Sequence, residues 1–362
     1  MMLLLVAPLG LNAPVAELQR IVEGAARKYN CAVSLGMSNG KDLSHSLAAG
    51  TIDRFRERKA GPDDDFLWGS VTKTMTGAAI LKLVAEGYVR LDDLAHHYVD
   101  PVLAQANYPY KTMEELFWAD RWAIPPAAAF RYNASLITLR HLLSMRSGIR
   151  DFDTAAFRHL QYEHPEVDFS PLDLLDISHG PLMFRPGGPV PTHGEPHPHM
   201  HMNFNYCSLN FVLLGIILAH FRSNGSWAKV DQSAILPPRV RGARFPQRQP
   251  CAKYTQVHGY DEASNYAPFD VSSVSCAGGW TAGNLVASAA AAANWTYALY
   301  GTDEVLPERF VAMMVPSADE PIYGLATFNF SGRYANGTEG LAWGHLGDTC
   351  TAHPGFTSDP NL

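Results

Sequence analysis

A serine and a lysine three residues apart, Ser70 and Lys73, are the residues of this chain best suited to nucleophilic chemistry. The i, i+3 spacing places the hydroxyl and the amine on one face of a predicted helix, within reach of each other. The helix N-terminus adds backbone N–H groups where an oxyanion could develop. Taken alone the pair is a weak signal, because chance supplies Ser-x-x-Lys in about every second chain of this composition. An N-cap serine beside a solvated lysine is the alternative.

Two later segments carry further groups that can move a proton: Tyr206-Cys207-Ser208 and His345-Leu346-Gly347-Asp348. Taken singly, each has an ordinary alternative. Tyr206 could be a half-buried aromatic residue, and His345 could be a satisfied histidine in a strand. It is the combination with Ser70, in this order along the chain, that indicates a site.

The three segments together resemble the signature of the serine β-lactamase and penicillin-binding-protein superfamily. That signature is S-x-x-K, then Y-x-N or S-x-N, then K-T-G or H-x-G. The resemblance is greatest to the branch with class C β-lactamases, D-Ala-D-Ala carboxypeptidases, D-aminopeptidases and family esterases. It runs from about Pro14 to the C-terminus and includes the segments 83–93, 137–149, 184–187, 277–280 and 323–325.

This resemblance implies a serine hydrolase that forms an acyl-enzyme on an ester or amide substrate, small molecule or peptide, without a cofactor. Ser70 is the expected nucleophile, Lys73 the base, and Tyr206 the second acid/base, provided that nearby positive charge lowers the pKa of its phenol. His345 is expected on the opposite wall, hydrogen-bonded to Tyr206 or to the substrate. The backbone N–H groups of Ser70 and Asp348 are the expected oxyanion hole.

The expected substrate-binding residues Ser208, Leu346 and Gly347 depart in part from the family pattern. Ser208 stands where Asn is usual, and Leu346 stands where Thr or Ser is common. Histidine replaces the lysine of the third motif, and a fixed cation suits substrates that carry a carboxylate. The departures favour an esterase or amidase. A β-lactamase or D-Ala-D-Ala carboxypeptidase and an inactive β-lactamase-like scaffold or binding protein stay open as alternatives.

The order of predicted elements indicates an α+β fold, an α/β sandwich with an antiparallel sheet flanked by helices and an inserted all-helical region. Residues 14–100 and about 240–362 are assigned to the α/β part and about 101–239 to the insert. Only fifteen residues follow Gly347, where the family has two more strands and a helix. The C-terminal strands are therefore expected to be missing, which leaves sheet edges unpaired unless a partner or a rearranged pairing fills the gap.

Hydrophobic periodicity and turn signals predict the individual elements that must position these groups. An Asn-Gly turn divides the predicted hairpin, and an alanine-rich run indicates a late helix. The predicted helices are 14–29, 70–87, 138–145, 206–220 and 281–300; the hairpin is 31–50; the late strands are 322–328 and 341–347.

Composition limits the partners and the location. The net charge of -7 without a basic stripe argues against nucleic acid, and no apolar run reaches transmembrane length. Residues 1–13 form a candidate leader, although a positive n-region is lacking. Five N-x-S/T sequons, where about two are expected by chance, favour a secreted or lumenal glycoprotein over a cytoplasmic or organellar protein. The oligomeric state is not indicated.

The cysteines and one histidine cluster suggest little further chemistry. The five cysteines are scattered, so neither a disulfide framework nor a zinc knuckle is predicted. In the loop 189–202, His197, His199 and His201 alternate and could bind zinc, copper or nickel from one side of an extended chain. A Pro/His-rich surface loop without a metal is favoured, because no carboxylate or cysteine completes a recognisable ligand spacing.

Overall fold

A computed structural model describes this chain in residues 2–6, 15–40, 44–53, 55, 58–118, 132–189, 200–201, 204–262, 265–317, 322–333 and 339–348. Helices and short strands alternate along these residues, and the strand pairs are antiparallel. The fold is therefore α+β, as the sequence predicts.

The helices differ in how much of their surface is apolar. α8 is apolar on nearly every side and is buried from Leu209 to Ala219, whereas α1 is amphipathic and buries only Val22 and Ala26. Thr138, Thr154 and Ser170 cap α5, α6 and α7 with side-chain oxygens. The described helices are α1 Val15–Tyr29, α2 Thr72–Ala85, α3 His96–Gln105, α4 Met113–Leu116, α5 Leu139–Leu143, α6 Ala155–Glu163, α7 Pro171–Ile177, α8 Leu209–Arg222, α9 Ala289–Gly301 and α10 Glu308–Met314.

The strands are short, and they form one three-stranded sheet and several two-stranded pairs. They are β1 Met2–Val6, β2 Val33–Ser38, β3 Ser44–Ala49, β4 Asp65–Gly69, β5 Met200–His201, β6 Phe204–Asn205, β7 Tyr260–Asp261, β8 Phe269–Asp270, β9 Leu285–Ser288, β10 Phe328–Asn329, β11 Gly332–Arg333, β12 Glu339–Gly340 and β13 Trp343–Gly347.

β13 lies between β1 and β10 in the three-stranded sheet, with the β1 register running from Met2 opposite Gly347 to Val6 opposite Trp343. β2 pairs with β3, and α9 packs on β2, β3 and β1. From the sequence, the strand that pairs with β13 was expected to be missing, or to be replaced by a partner or a rearranged pairing. In the described residues, β1 occupies that place. The assignment of residues 1–13 to a leader stays a prediction.

The predicted elements near the site are present with shifted ends: the helix expected over 206–220 begins at Leu209, so Tyr206 precedes it. Other predictions need larger corrections. The helix expected over 281–300 begins only at Ala289, because Leu285–Ser288 pair with β4 and Ser288 caps the helix by accepting from Ala291 N at 3.3 Å. The strand expected over 322–328 is reduced to two residues, since Gly324 N donates to Thr327 O in a turn. The predicted all-helical insert also contains the short β5–β6 pair.

Helix α8 packs against α2, α3 and α5 in the main hydrophobic core. Its N-terminus follows directly on 206–208, and the N-terminus of α2 follows on Ser70. Packing of α2 against α8 therefore brings the first two motifs together, although Ser70 and Tyr206 are 136 positions apart in the chain.

A disulfide joins Cys251 and Cys276, a single bridge that the scattered cysteine spacing does not indicate. Two backbone hydrogen bonds align the two segments: Cys251 N donates to Val274 O and Cys276 N to Gln249 O. This pairing places the two Cα atoms 4.7 Å apart, within the range that a disulfide requires. Of the other cysteines, Cys207 is buried and Cys31 is exposed, and Cys350 lies outside the described residues.

Candidate active site

Ser70 lies on the tight turn between β4 and α2. Gly69 has φ +49°, and Val71 N donates to Trp68 O at 3.1 Å, so the chain reverses directly into the helix. Ser70 O accepts from Lys73 N at 3.0 Å, which leaves the Ser70 side chain at the mouth of the first helical turn. The local sequence thus produces the geometry expected of a nucleophile at a helix N-terminus.

Lys73 is fully buried, and its amine has two acceptors. Nζ donates to Ser70 Oγ at 2.7 Å and to Ala282 O at 2.9 Å. Burial lowers the pKa of Lys73 to about 8, against the opposing charges of Asp151 and Asp153. Once Lys73 is neutral, the bond to Ala282 holds one N–H away from Ser70, so the lone pair is free to accept the hydroxyl proton.

Tyr206 contacts the same serine from the segment before α8. Its hydroxyl is hydrogen-bonded to Ser70, and Lys73 Nζ lies 5.0 Å from the centre of its ring. Burial raises the pKa of Tyr206 well above 10, and the bond to Ser70 only partly opposes this. The sequence-based condition that nearby positive charge lowers this pKa is therefore not met. In this state Tyr206 is a neutral phenol that can donate and relay a proton.

His345 lies in β13, fully buried, 6.1 Å from Tyr206 between ring centres. Its Nδ1 donates to Leu346 O at 2.6 Å, because a carbonyl can only accept. Nε2 is then the acceptor for the Tyr323 hydroxyl at 3.0 Å. Burial lowers the pKa of His345 to about 3, so the ring is neutral. The hydrogen bond expected to Tyr206 is thus made to Tyr323 instead, a residue to which the sequence assigns no such role, and the alternative contact with substrate stays a prediction.

The end of β13 packs against the Ser70 turn through two glycines. A Cβ on Gly347 would lie 1.9 Å from Trp68 O, and a Cβ on Gly69 would lie 2.2 Å from Asp348 O. These approaches bring the Asp348 backbone beside Ser70, and both residues line the same cleft. The expected oxyanion hole from the N–H groups of Ser70 and Asp348 stays a prediction that this arrangement permits.

The cleft has a volume of about 720 Å³, including the part open to solvent. Of the three expected substrate-binding residues, Ser208 lines it, whereas Leu346 and Gly347 do not. The described lining residues include two carboxylates and neither lysine nor arginine. The cleft wall is therefore acidic or neutral, with Lys73 buried behind Ser70.

The sequence did not predict several of the residues that line the cleft. The lining includes both cysteines of the Cys251–Cys276 disulfide, together with Phe152, Asp153 and Phe157. Asp151 is not among the lining residues, and its Oδ2 accepts from Ser208 N at 2.8 Å. Its position just after 137–149, a segment that carries the family resemblance, is the one signal that could have drawn attention to it.

The predicted metal ligands receive no structural support. His197 and His199 lie outside the described residues, and for His201 only the backbone of β5 is described. Among the described residues, no group of three His, Cys, Asp or Glu side chains is placed to hold a metal ion. No described helix is long and apolar enough to cross a membrane.

Comparison with solved structures finds the same fold in hydrolases and in a penicillin-binding protein. A D-stereospecific amidohydrolase from Streptomyces sp. is 24% identical, with a TM-score of 0.65 and coverage of 93% of this chain and 88% of that one. A penicillin-binding protein from Bacillus halodurans is 17% identical, with a TM-score of 0.60 and coverage of 91% and 95%. EstCE1, a hydrolase with promiscuous acyltransferase activity, is 14% identical, with a TM-score of 0.57 and coverage of 93% and 95%.

The family model described as Beta-lactamase matches residues 19–361, a span that includes all three motifs. The match agrees with the serine–lysine–tyrosine arrangement at the mouth of α2 and with the fold of the solved relatives. This chain belongs to the beta-lactamase family.

Proposed function

We propose that this protein is a serine hydrolase that cleaves an ester or an amide through an acyl-enzyme on Ser70. The observation that carries the proposal is the 2.7 Å contact between Lys73 Nζ and Ser70 Oγ, with the Tyr206 hydroxyl hydrogen-bonded to the same serine. A nucleophile within hydrogen-bonding reach of a buried, readily deprotonated base is the minimal apparatus for acyl transfer.

In the proposed first step, neutral Lys73 takes the proton of Ser70 while Oγ bonds to the substrate carbonyl carbon. The carbonyl oxygen becomes an oxyanion, which the N–H groups of Ser70 and Asp348 would stabilise. Tyr206 donates its proton to the leaving alkoxide or amine as the carbonyl–leaving-group bond breaks, and it is reprotonated from Lys73. Water then attacks the acyl-enzyme, passes its proton through the same groups, and releases the acid and Ser70.

The charge of the cleft supports an esterase or amidase over an enzyme for carboxylate-bearing substrates. Asp153 and Asp348 line it, and no lysine or arginine does so among the described residues. His345, at the position of the usual lysine, is neutral and bonded to Tyr323. Fold similarity to the Streptomyces amidohydrolase and to EstCE1 agrees with this choice.

A secreted or lumenal location is the second part of the proposal. The disulfide Cys251–Cys276 indicates an oxidising compartment, which agrees with the candidate leader and the sequons. The sequon residues Asn133, Asn224 and Asn329 are exposed, whereas Asn294 lies in α9 and accepts from Ser38 Oγ at 2.8 Å. Asn336 lies outside the described residues. Glycosidase treatment that shifts the mass of the natively expressed protein supports the location, and an unmodified, fully reduced native protein contradicts it.

A fluorophosphonate probe tests the activity. We expect labelling of the wild-type protein that is lost in Ser70→Ala and in Lys73→Met. Lys82→Met is the matched control, because Lys82 is an exposed lysine of the same helix. Folded wild-type protein that does not label would leave the inactive scaffold as the explanation. Faster hydrolysis of a chromogenic cephalosporin than of p-nitrophenyl esters would instead select the β-lactamase alternative.

A further inference from the structure

Hydrogen bonds attach the segment 145–151 to the residues on either side of Tyr206. Met145 O accepts from Asn205 N at 3.1 Å, and Met145 Sδ accepts from Cys207 N at 3.4 Å. Ser147 Oγ donates to the Asn210 side chain at 2.6 Å, and Asp151 Oδ2 accepts from Ser208 N. Only the last of these contacts brings an ionisable group to the site.

Ser208 is the N-cap residue directly before α8; its backbone already has helical angles, φ -64° and ψ -29°, and its own side chain makes no capping bond. Its backbone N–H is therefore one of the donors that a helix start leaves without an intrahelical partner. Asp151 supplies the acceptor from another part of the chain, and the negative carboxylate also suits the positive end of the helix. The bond fixes the start of α8, two residues after Tyr206.

The same carboxylate acts electrostatically on the buried proton carriers. Its charge favours protonated Lys73 and disfavours ionised Tyr206, and its own pKa is raised to about 6, chiefly by burial. Asp151 is therefore ionised in the pH range where Lys73 titrates. The other titratable or charged groups around it are Asp153 on its own segment, Cys207 before α8, Arg158 on α6, and His345 and Asp348 on or after β13.

We infer that Asp151 is a positioning residue that both fixes the Tyr206 segment and sets the pH at which the Ser70–Lys73–Tyr206 group becomes reactive. The inference rests on the proposed serine hydrolase function. Asp151 touches neither Ser70 nor the reacting carbonyl, and it acts through Lys73 and through the backbone of Ser208. A residue that merely caps α8 would affect stability and leave the pH dependence unchanged.

The test is the pH dependence of fluorophosphonate labelling in Asp151→Asn. An asparagine oxygen can still accept from Ser208 N, so the variant removes the charge and keeps the acceptor. Without the carboxylate Lys73 loses its proton more easily, and we expect the pH of half-maximal labelling to fall by about one unit. Asp151→Glu, which keeps the charge, is expected to stay near the wild-type value.

Asp173→Asn is the matched control, because Asp173 Oδ2 accepts from Ser170 N at the start of α7 and does not line the cleft. It is expected to leave the labelling profile unchanged. If Asp151→Asn does not fold, Asp151→Thr supplies a neutral acceptor in its place. A folded neutral variant with the wild-type profile, or an equal shift in Asp151→Glu, overturns the inference. Absence of labelling in the wild-type protein instead refutes the proposed function.

Discussion

Replacing Lys73 by methionine should reveal, in the pH dependence of the unfolding free energy, what it costs the protein to bury this lysine. Lys73 is fully buried, and burial lowers its pKa from 10.5 to about 8. Below pH 8 the amine is charged in the folded and the unfolded protein, so folding bears the whole penalty of burying the charge. Between pH 8 and 10.5 the folded protein has released the proton while the unfolded chain still holds it, and stability therefore rises with pH.

The size of the effect follows from the difference between the two pKa values. A lowering from 10.5 to about 8 corresponds to about 3 kcal/mol of unfolding free energy. Methionine has a similar length and no charge, so the variant avoids this penalty at every pH. It also leaves Ala282 O without its donor, which costs about 1–3 kcal/mol independently of pH. The unfolding free energy of Lys73→Met minus that of the wild type should therefore fall by about 3 kcal/mol from pH 7 to pH 10.5.

Urea denaturation followed by circular dichroism at several pH values measures this difference, with Lys82→Met as the control for an exposed lysine on the same helix. Groups that titrate equally in both proteins cancel in the comparison. A difference that is constant with pH would show that Lys73 titrates normally in the folded protein. A difference that grows with pH would show that its pKa is raised, and either result refutes the argument for a readily deprotonated base.

Three further outcomes are expected. Gly347→Ala should abolish labelling or prevent folding, because its Cβ would lie 1.9 Å from Trp68 O and a misplacement of about 1 Å costs about 100-fold in rate; labelling at the wild-type rate would contradict the close approach. Tyr206→Phe should reduce the labelling rate at least about 100-fold with a small change in melting temperature, and an unchanged rate would remove Tyr206 from the proton path. Serine at both Cys251 and Cys276 should lower the unfolding free energy by about 3 kcal/mol, since the disulfide closes a loop of 25 residues; equal denaturation midpoints with and without the bond would contradict this.

Local patterns were sufficient to predict the elements that carry Ser70 and Lys73, and the role of Ser70 as nucleophile stays a prediction. The helix of Lys73, its end before Gly87 with φ +77°, and the hairpin from 31 to 50 follow from spacing, turn residues and periodicity. The meeting of Ser70 with Tyr206 was predicted through the family resemblance, because packing of α2 on α8 decides it and no local pattern encodes that packing.

The features that could not be predicted depend on contacts distant in sequence. Cys251 and Cys276 are joined because two irregular segments pair, which no cysteine spacing reveals. The alanine-rich run 281–300 is helical only in part, because Leu285–Ser288 pair with β4. His345 was expected to bond to Tyr206 or to the substrate, and in the structure its Nε2 accepts from the buried Tyr323 hydroxyl.

The departures from the family pattern, at Ser208, His345 and Leu346, affect which substrate is preferred more than they affect the attack of Ser70 on the carbonyl carbon. Ser70 and Lys73 are in contact, whereas the wall that would meet a substrate carboxylate carries Asp153 and Asp348 and a neutral histidine behind it. A substrate carboxylate beside these two side chains would be repelled by each of them in its ionised form. A substrate with a neutral or positively charged group at that position escapes this repulsion. On this reasoning, the same replacements that weaken the case for a β-lactamase strengthen the case for an esterase or amidase.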